Sequence, residues 1–437
     1  MYTSKRVVPL FSLLLILVVI LSACGQAATP APAAPAATEP PAAAPAAASG
    51  DKGVIKIYTS WPMQGAMIPE GTAMKRAVDM AVEDAGGTAV GYKLEIVNLD
   101  DASPATGSWD GTIEAENAQK CINDPDCMVY LGTYNSGAAK VSIPILNQAD
   151  IAMITPANTS PCLTKKNPAC QENEPAIYRP SGKINYFRTN PADDLQGQAA
   201  AKWASCLGFK KAFVLDDRQL YGKGLADIFE SAAKTNGIEI VGHEGVESTN
   251  IDFRSLLTKV KASGAELVYG GFVIDSGGPQ VIQQMAALGM FPATKFMGPD
   301  GLYSPGLMEA IGGAIDQANE NVYITFTGLP PDQLPSEAGK AFYQNYKAKY
   351  GEDPIGFATY AYQVGRLVAD AINRAGEKDR AKILDAVRNT KDFDKGIADP
   401  FSFDENGDPT IFSMSGFIVR NGNFDFREVI KPDMTCK

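Results

Sequence analysis

Three side chains in this chain have the chemistry to grip both ends of a zwitterion. Ser136 and Thr159 carry hydroxyls in loops where helices begin, and the free N–H groups of a helix start can hold a carboxylate. Asp300 offers the opposite charge and can hold an ammonium group through a charge-assisted hydrogen bond. The aromatic residues Trp61, Tyr134, Tyr221 and Phe272 supply walls for an apolar side chain. Each loop alone is also plain turn chemistry, because Gly, Asn, Ser and Asp end strands everywhere. What sets these residues apart is their shared position, just after short apolar runs.

Those runs alternate with amphipathic stretches. Strands are predicted over 54–58, 94–99, 128–131 and 151–154. Between them, Met74, Ala77, Val78 and Ala81 share one helical face that ends at Gly86-Gly87, and helices follow over 113–122 and 141–148. Pro144 is expected in the first turns of the last of these. After residues 187–191 the rhythm restarts, with strands over 212–215, 238–241, 267–269, 295–297 and 321–326 and helices over 199–207, 225–234, 253–262 and 281–288. This is an α/β pattern of two parallel, helix-covered sheets. Ligands of such sheets sit beyond the carboxyl ends of the strands. The loops at 132–137, 155–160, 216–222, 270–272 and 298–301 all occupy that position.

The last hundred residues change character. Phe342 and Tyr346, then Phe357, Tyr360, Ala361, Val364, Val368 and Ile372, mark two long helices, and a third is expected over 383–387. These helices need a sheet to cover. Placing them on the first sheet makes the chain cross between the two halves more than once. Asn406-Gly407 and Asn421-Gly422 are hairpin turn signals.

The N-terminus is of a different kind. Lys5 and Arg6 precede an apolar run from Val7 to Leu21, and Leu21-Ser22-Ala23-Cys24 closes it. That is the layout of a lipoprotein leader (residues 1–23) cut before Cys24, whose thiol then takes a lipid. An uncleaved transmembrane helix competes poorly, since the run is interrupted by Pro9 and falls short of the roughly 20 residues a span needs. Residues 24–50 are the lipidated Cys and an Ala/Pro linker, too poor in large apolar side chains to build a core. An extracytoplasmic body held to the bacterial cell membrane by its lipid is the expectation.

A body starting near Lys52 is too long for one core, domains usually running about 100–200 residues. The net charge of −11 becomes −13 once Lys5 and Arg6 leave with the leader. Such an acidic surface repels phosphate backbones and excludes nucleic acid as a partner. With Cys24 assigned to lipid, Cys121, Cys127, Cys162, Cys170, Cys206 and Cys436 remain for an oxidising compartment. Proximity pairs Cys121 with Cys127 and Cys162 with Cys170, while Cys206 and Cys436 pair with each other or stay free. A zinc site is disfavoured, because no C-x-x-C occurs and His243 is the only histidine.

Enzyme signatures are missing. There is no G-x-x-x-x-G-K-[ST] and no G-x-S-x-G. Nothing flags a triad around His243, which reads as a solvent-side residue. Residues 404–408 lack calcium-loop spacing, and the neighbours Asp216 and Asp217 would point to opposite faces of a strand. No catalytic residue, metal or cofactor is expected. A lipid-anchored hydrolase is the residual alternative.

Four segments in order carry a family resemblance: residues 131–137 (LGTYNSG), 154–159 (ITPANT), 221–224 (YGKG) and 296–301 (FMGPDG). Together they resemble the branched-chain amino-acid-binding (Leu/Ile/Val-type) proteins that feed ABC importers, from about Val54 to the region of Phe417. The resemblance implies a two-lobed type I periplasmic-binding fold joined by three hinge crossings, set near Arg188, Thr325 and Asp399. Lobe 1 would comprise 51–188 plus 327–398, and lobe 2 would comprise 189–326 plus 399–437. Carried over by position, Ser136 and Thr159 take the ligand carboxylate with Ala157 offering backbone groups. Tyr221 contributes from lobe 2 and Asp300 takes the α-amino group, while Phe272 and Ile355 line the side-chain pocket. The implied partners are a small amino-acid ligand and ABC permease subunits, with the receptor itself a monomer. Three departures stand out: the Leu/Ile/Val subgroup tends to carry Glu at the place of Asp300 and Tyr at that of Phe272, and the entry segment Trp61-Pro62-Met63-Gln64-Gly65 is unlike that subgroup. Urea, a short amide or an aromatic acid on the same fold is the alternative ligand class.

Overall fold

Short apolar runs, most of them followed by a helix, pair into two sheets in the computed structural model, which describes residues 52–247, 249 and 251–436. The leader, Cys24 and the linker lie outside those residues. The strands are Val54–Trp61 (β1), Thr88–Ala89 (β2), Tyr92–Asp100 (β3), Cys127–Gly132 (β4), Ala152–Thr155 (β5), Tyr186–Arg188 (β6), Lys211–Asp216 (β7), Glu239–Gly245 (β8), Leu267–Gly271 (β9), Lys295–Gly298 (β10), Val322–Phe326 (β11), Met414–Arg420 (β12) and Asn423–Ile430 (β13). The first sheet has the order β2-β3-β1-β4-β5-β6 and the second β13-β12-β11-β10-β9-β7-β8. Pairing is parallel except at the edges, where β2 meets β3 and where β12 meets β11 and β13 antiparallel. The central strands are buried nearly end to end, as expected of sheets covered on both faces.

The order of strands reverses direction between β1 and β4 in the first sheet and between β7 and β9 in the second. At such a switch point the loops leaving neighbouring strands part company and leave a crevice. Two crevices therefore face each other, one per lobe.

The late helices Glu337–Tyr350, Gly356–Ala375 and Arg380–Arg388 return to the first lobe. Gly356–Ala375 lies so close to Ile68–Asp84 that a Cβ on Gly365 would stand 2.6 Å from the Ala81 Cβ. The Arg380 guanidinium donates to the carbonyls of Cys121, Ile122, Asp124 and Cys127, pinning the third helix to the base of β4.

The chain passes between the sheets after β6, after β11 and before β12. Residues 401–410 remain with the first lobe. Phe403 packs on Phe187 with ring centroids 5.0 Å apart, and the Arg188 N–H donates to the Gly407 carbonyl at 3.2 Å. The third passage thus lies closer to Met414 than to Asp399.

Other differences from the sequence expectations are local. Helix Ser136–Asn147 starts five residues before the expected 141, so Pro144 sits inside it rather than in its first turns. His243 is not a solvent-side residue: its ring is held between Asp216 (2.9 Å) and Glu230 (2.5 Å). Three disulfides form, Cys121–Cys127, Cys162–Cys170 and Cys206–Cys436. The last ties helix Asp193–Cys206 to the C-terminal end of the chain. Among the described residues, no helix is long and apolar enough to cross a membrane.

Candidate ligand-binding site between the lobes

Loops leaving five strands meet around one small, nearly closed cavity. Tyr134 and Asn135 follow β4, Ala157 and Thr159 follow β5, Tyr221 follows β7, Val273 follows β9, and Asp300 and Gly301 follow β10; Phe357, in the first turn of Gly356–Ala375, completes the wall. The lobes are drawn together around it, and the Trp109 Nε1–H of the first lobe donates to Gln219 Oε1 of the second at 2.9 Å.

One end of the cavity is acidic. Asp300 is 2% exposed. Its Oδ1 accepts from the Tyr221 hydroxyl at 2.5 Å and its Oδ2 from the Thr327 hydroxyl at 2.9 Å. The Gln196 amide closes the set, its carbonyl oriented to accept from the Asp300 N–H at 3.0 Å and its Nε2 donating to Oδ1 at 3.3 Å. Burial pushes the Asp300 carboxyl up to about 6, against the hydrogen bonds from Tyr221, Thr327 and Gln196 that pull it down. Asp193, wholly buried, is held well above the usual range by burial and then by the charge of Asp300. Among the described residues neither acid is in an ion pair. Asp300 is the acid that lines the closed space, while Asp193 also feels the guanidinium of Arg188, and the unpaired Asp300 carboxyl is a socket for a positive group.

The tight placement of Tyr221 has a backbone cause. Helix Leu220–Thr235 starts against the end of β9 so closely that a Cβ on Gly222 would stand 2.3 Å from the Gly271 carbonyl oxygen. Only glycine permits that approach, and it brings the neighbouring phenol over Asp300.

Another side of the cavity is built by the start of helix Ser136–Asn147. Asn135 is its N-cap residue but makes no side-chain cap, and its Oδ1 has no hydrogen-bond partner. Thr159 stands close by, with its hydroxyl facing Asp193. The guanidinium of Arg188 holds this loop in shape, donating to the carbonyls of Asn158 (3.1 Å) and Ser160 (2.9 Å) on either side of Thr159 and to Asp408 Oδ1 (2.8 Å). The rest of the wall is apolar and aromatic: Tyr134 and Phe357 meet edge to face at 5.5 Å, and Phe357 meets Phe326 at 5.3 Å.

Five of the nine residues expected from the sequence therefore line one cavity: Tyr134, Ala157, Thr159, Tyr221 and Asp300. The backbone of Ala157 is less free than expected, since its N–H already donates to Thr155 Oγ1 at 3.0 Å. The other four stand elsewhere. Ser136 is 1% exposed and accepts from the Ser160 N–H at 3.3 Å, so it ties two loops together behind the wall. Phe272 turns into the core of the second lobe, edge-on to Phe253, and the next residue, Val273, takes the wall position. Trp61 is buried at the end of β1. Ile355 is the N-cap of Gly356–Ala375, two residues short of the lining Phe357. Asn135 and Gly301 lay in the loops singled out by sequence, but their types signal turns as much as sites. Phe357 carried only a helical-core signal.

A family model described as periplasmic binding protein matches residues 54–420. The chain belongs to this family. A leucine-, isoleucine-, valine-, threonine- and alanine-binding protein of Pseudomonas aeruginosa is 31% identical over 81% of this chain and 87% of its own length. Among solved structures, a leucine-binding protein of Thermotoga maritima is similar with a TM-score of 0.74 and 28% identity, covering 87% of this chain and 99% of that one. The substrate-binding protein of a branched-chain amino-acid transporter from Streptococcus pneumoniae, in complex with isoleucine, is similar with a TM-score of 0.73 and 25% identity, covering 87% of this chain and 100% of its own. This periplasmic binding protein has the type I fold of those neighbours, two mixed α/β sheets flanked by helices.

Proposed function

We propose that this protein is the extracytoplasmic solute-binding receptor of an ABC importer and that it clamps a small α-amino acid, of branched-chain size, between its lobes. The observation that carries this is the buried carboxyl of Asp300, in no ion pair among the described residues, at one end of a small aromatic-walled cavity, with the buried Asp193 acting on it from behind. In this reading the ligand ammonium pairs with Asp300, which is oriented by Tyr221, Thr327 and Gln196. The ligand carboxylate lies toward Thr159 and the start of helix Ser136–Asn147, where backbone N–H groups favour an anion. Tyr134, Phe357 and Val273 surround the side chain. Relatives that bind leucine, isoleucine and valine support this choice.

A ligand touching both lobes stabilises the closed form relative to the open one by its differential contacts. The closed form is then the state read by the permease. Cys24 carries the lipid that keeps the receptor, a monomer, at the membrane, a reading supported by the leader-like segment before it. Loss of lipid labelling in Cys24→Ala checks that part.

Isothermal titration against leucine, isoleucine, valine, alanine, urea, acetamide and benzoate tests the ligand class. One-to-one binding of the amino acids alone upholds it. Heat only from ligands lacking an α-ammonium, or turnover of any of them, sinks it.

A further inference from the structure

Glu70 stands in the first turn of helix Ile68–Asp84 and is 1% exposed. Its nearest polar neighbours are the Phe357 backbone N–H and the Ser304 hydroxyl, and neither carboxyl oxygen completes a full hydrogen bond. Phe357 belongs to the first lobe. Ser304 belongs to the second, where it caps helix Pro305–Ile311. Glu70 thus lies on the seam between the lobes, behind the Tyr134 and Phe357 wall of the cavity. The titratable groups that act on it or feel it from the packed elements are Asp300, Tyr134, Tyr303 and Tyr346. All are acids. Arg76, which acts on Tyr346, is committed to Glu352.

We propose that Glu70 couples ligand capture to proton uptake, because its carboxyl is sealed from water only when Ser304 and the start of helix Pro305–Ile311 close over it. A carboxylate buried without a partner is strongly disfavoured, so the group takes a proton instead. Burial accordingly pushes Glu70 up to about 8. With the lobes apart, water reaches it and it returns to the ordinary carboxylate range. Between those two values the open form is ionised and the closed form is neutral. Closure then takes up a proton, and affinity for any ligand that favours closure falls as the pH rises, by at most about tenfold per pH unit. Glu70 touches no ligand in this scheme and is a positioning residue. The coupling rests on the reading that ligand binding closes the lobes.

Calorimetry with L-leucine at pH 6.5, 7.5 and 8.5, in buffers of different ionisation enthalpy, reads both affinity and protons. The wild type is expected to take up protons and to bind at least fivefold more weakly at 8.5 than at 6.5, on the order of what linkage allows. Glu70→Gln, neutral and of the same shape, removes both effects while still binding. Should that variant not fold, Glu70→Leu serves the same comparison. An identical pH slope in wild type and variant overturns the coupling. If leucine binds neither protein, the ligand assignment is at fault, and small-angle scattering of the ligand-free chain decides the coupling. A radius of gyration that grows with pH only in the wild type upholds it, and matching profiles overturn it.

Discussion

The Tyr221 hydroxyl donates to Asp300 Oδ1 at 2.5 Å and accepts from the Gly301 N–H at 3.0 Å, so one phenol ties the start of a helix to the acid-bearing loop. Both residues lie on the second lobe, and the phenol orients the carboxylate without supplying charge. Asp300→Asn is expected to weaken amino-acid binding by about 10- to 100-fold, the worth of a charge-assisted hydrogen bond. Tyr221→Phe leaves the charge in place and removes only a hydrogen bond that orients it, and is expected to cost about fivefold. Titration calorimetry at pH 7.5 measures both, with circular dichroism as the check on folding. Equal losses in the two variants would mean that orientation and charge are not separable here.

Asp300 also sets an acid limb. Burial raises its carboxyl to about 6, so as the pH falls through that value the acid is protonated and an ammonium ligand loses its counter-charge. Binding is therefore expected to weaken below pH 6, and this limb disappears in Asp300→Asn. The stability of the ligand-free protein moves the other way. A carboxyl whose folded value is raised contributes stability that is full below its unfolded value, near 3.9, and is lost as the pH rises through about 6. Asp300→Asn is thus expected to raise the ligand-free melting temperature at pH 7.5 but not at pH 4. Scanning calorimetry at the two pH values reads the sign directly.

The hinge side depends on a buried ion pair. Arg188 is wholly buried, with its Nε donating to Asp408 Oδ1 at 2.8 Å, and Lys165 reaches the other carboxylate oxygen at 3.1 Å. Asp408→Ala leaves the guanidinium uncompensated in the interior and is expected to cost about 3–5 kcal/mol of stability in urea unfolding. Since the same guanidinium holds the carbonyls on both sides of Thr159, ligand affinity should fall as well. A stability change below about 1 kcal/mol, as for an exposed pair, would show that water replaces the carboxylate.

Cys206 and Cys436 are bridged across 230 residues of chain. Replacing both with Ser frees the C-terminal end from helix Asp193–Cys206 and is expected to lower stability by about 2–4 kcal/mol, mostly by releasing the unfolded state. Leucine affinity should stay within about twofold in that variant, an estimate from the near-additivity of distant sites. A large loss of binding would place the bridge in the path of closure.

Regular elements were the most legible part of the fold. Buried strands such as β4 and β5 declare themselves as short apolar runs, and Gly356–Ala375 declares itself through 3.6-residue spacing. β6 spans only Tyr186–Arg188 and is too short to show a period. Helix Ser136–Asn147 opens with small and polar residues before its large apolar ones begin at Val141, so its first turn at the site has the composition of a loop. In the site itself the loops are legible in the sequence, but which of two neighbouring side chains faces the cavity is not always so. Phe272 and Val273 are neighbours, yet one enters the core and the other the cavity wall.

Sequence by itself determined the alternation of strands and helices, the loops at the carboxyl ends of strands, the acid at 300 and the even set of cysteines available for pairing. These follow from local chemistry, because apolar spacing, turn residues and charge act over a few positions. Tertiary structure alone decided that Tyr134, Thr159, Tyr221 and Asp300 share one cavity, that Phe357 closes it, and that Asp193 and Glu70 are buried beside or behind it. Which way a loop side chain turns depends on the packing of segments far apart in the chain, and burial, which sets the protonation of these acids, exists only once the two lobes have come together.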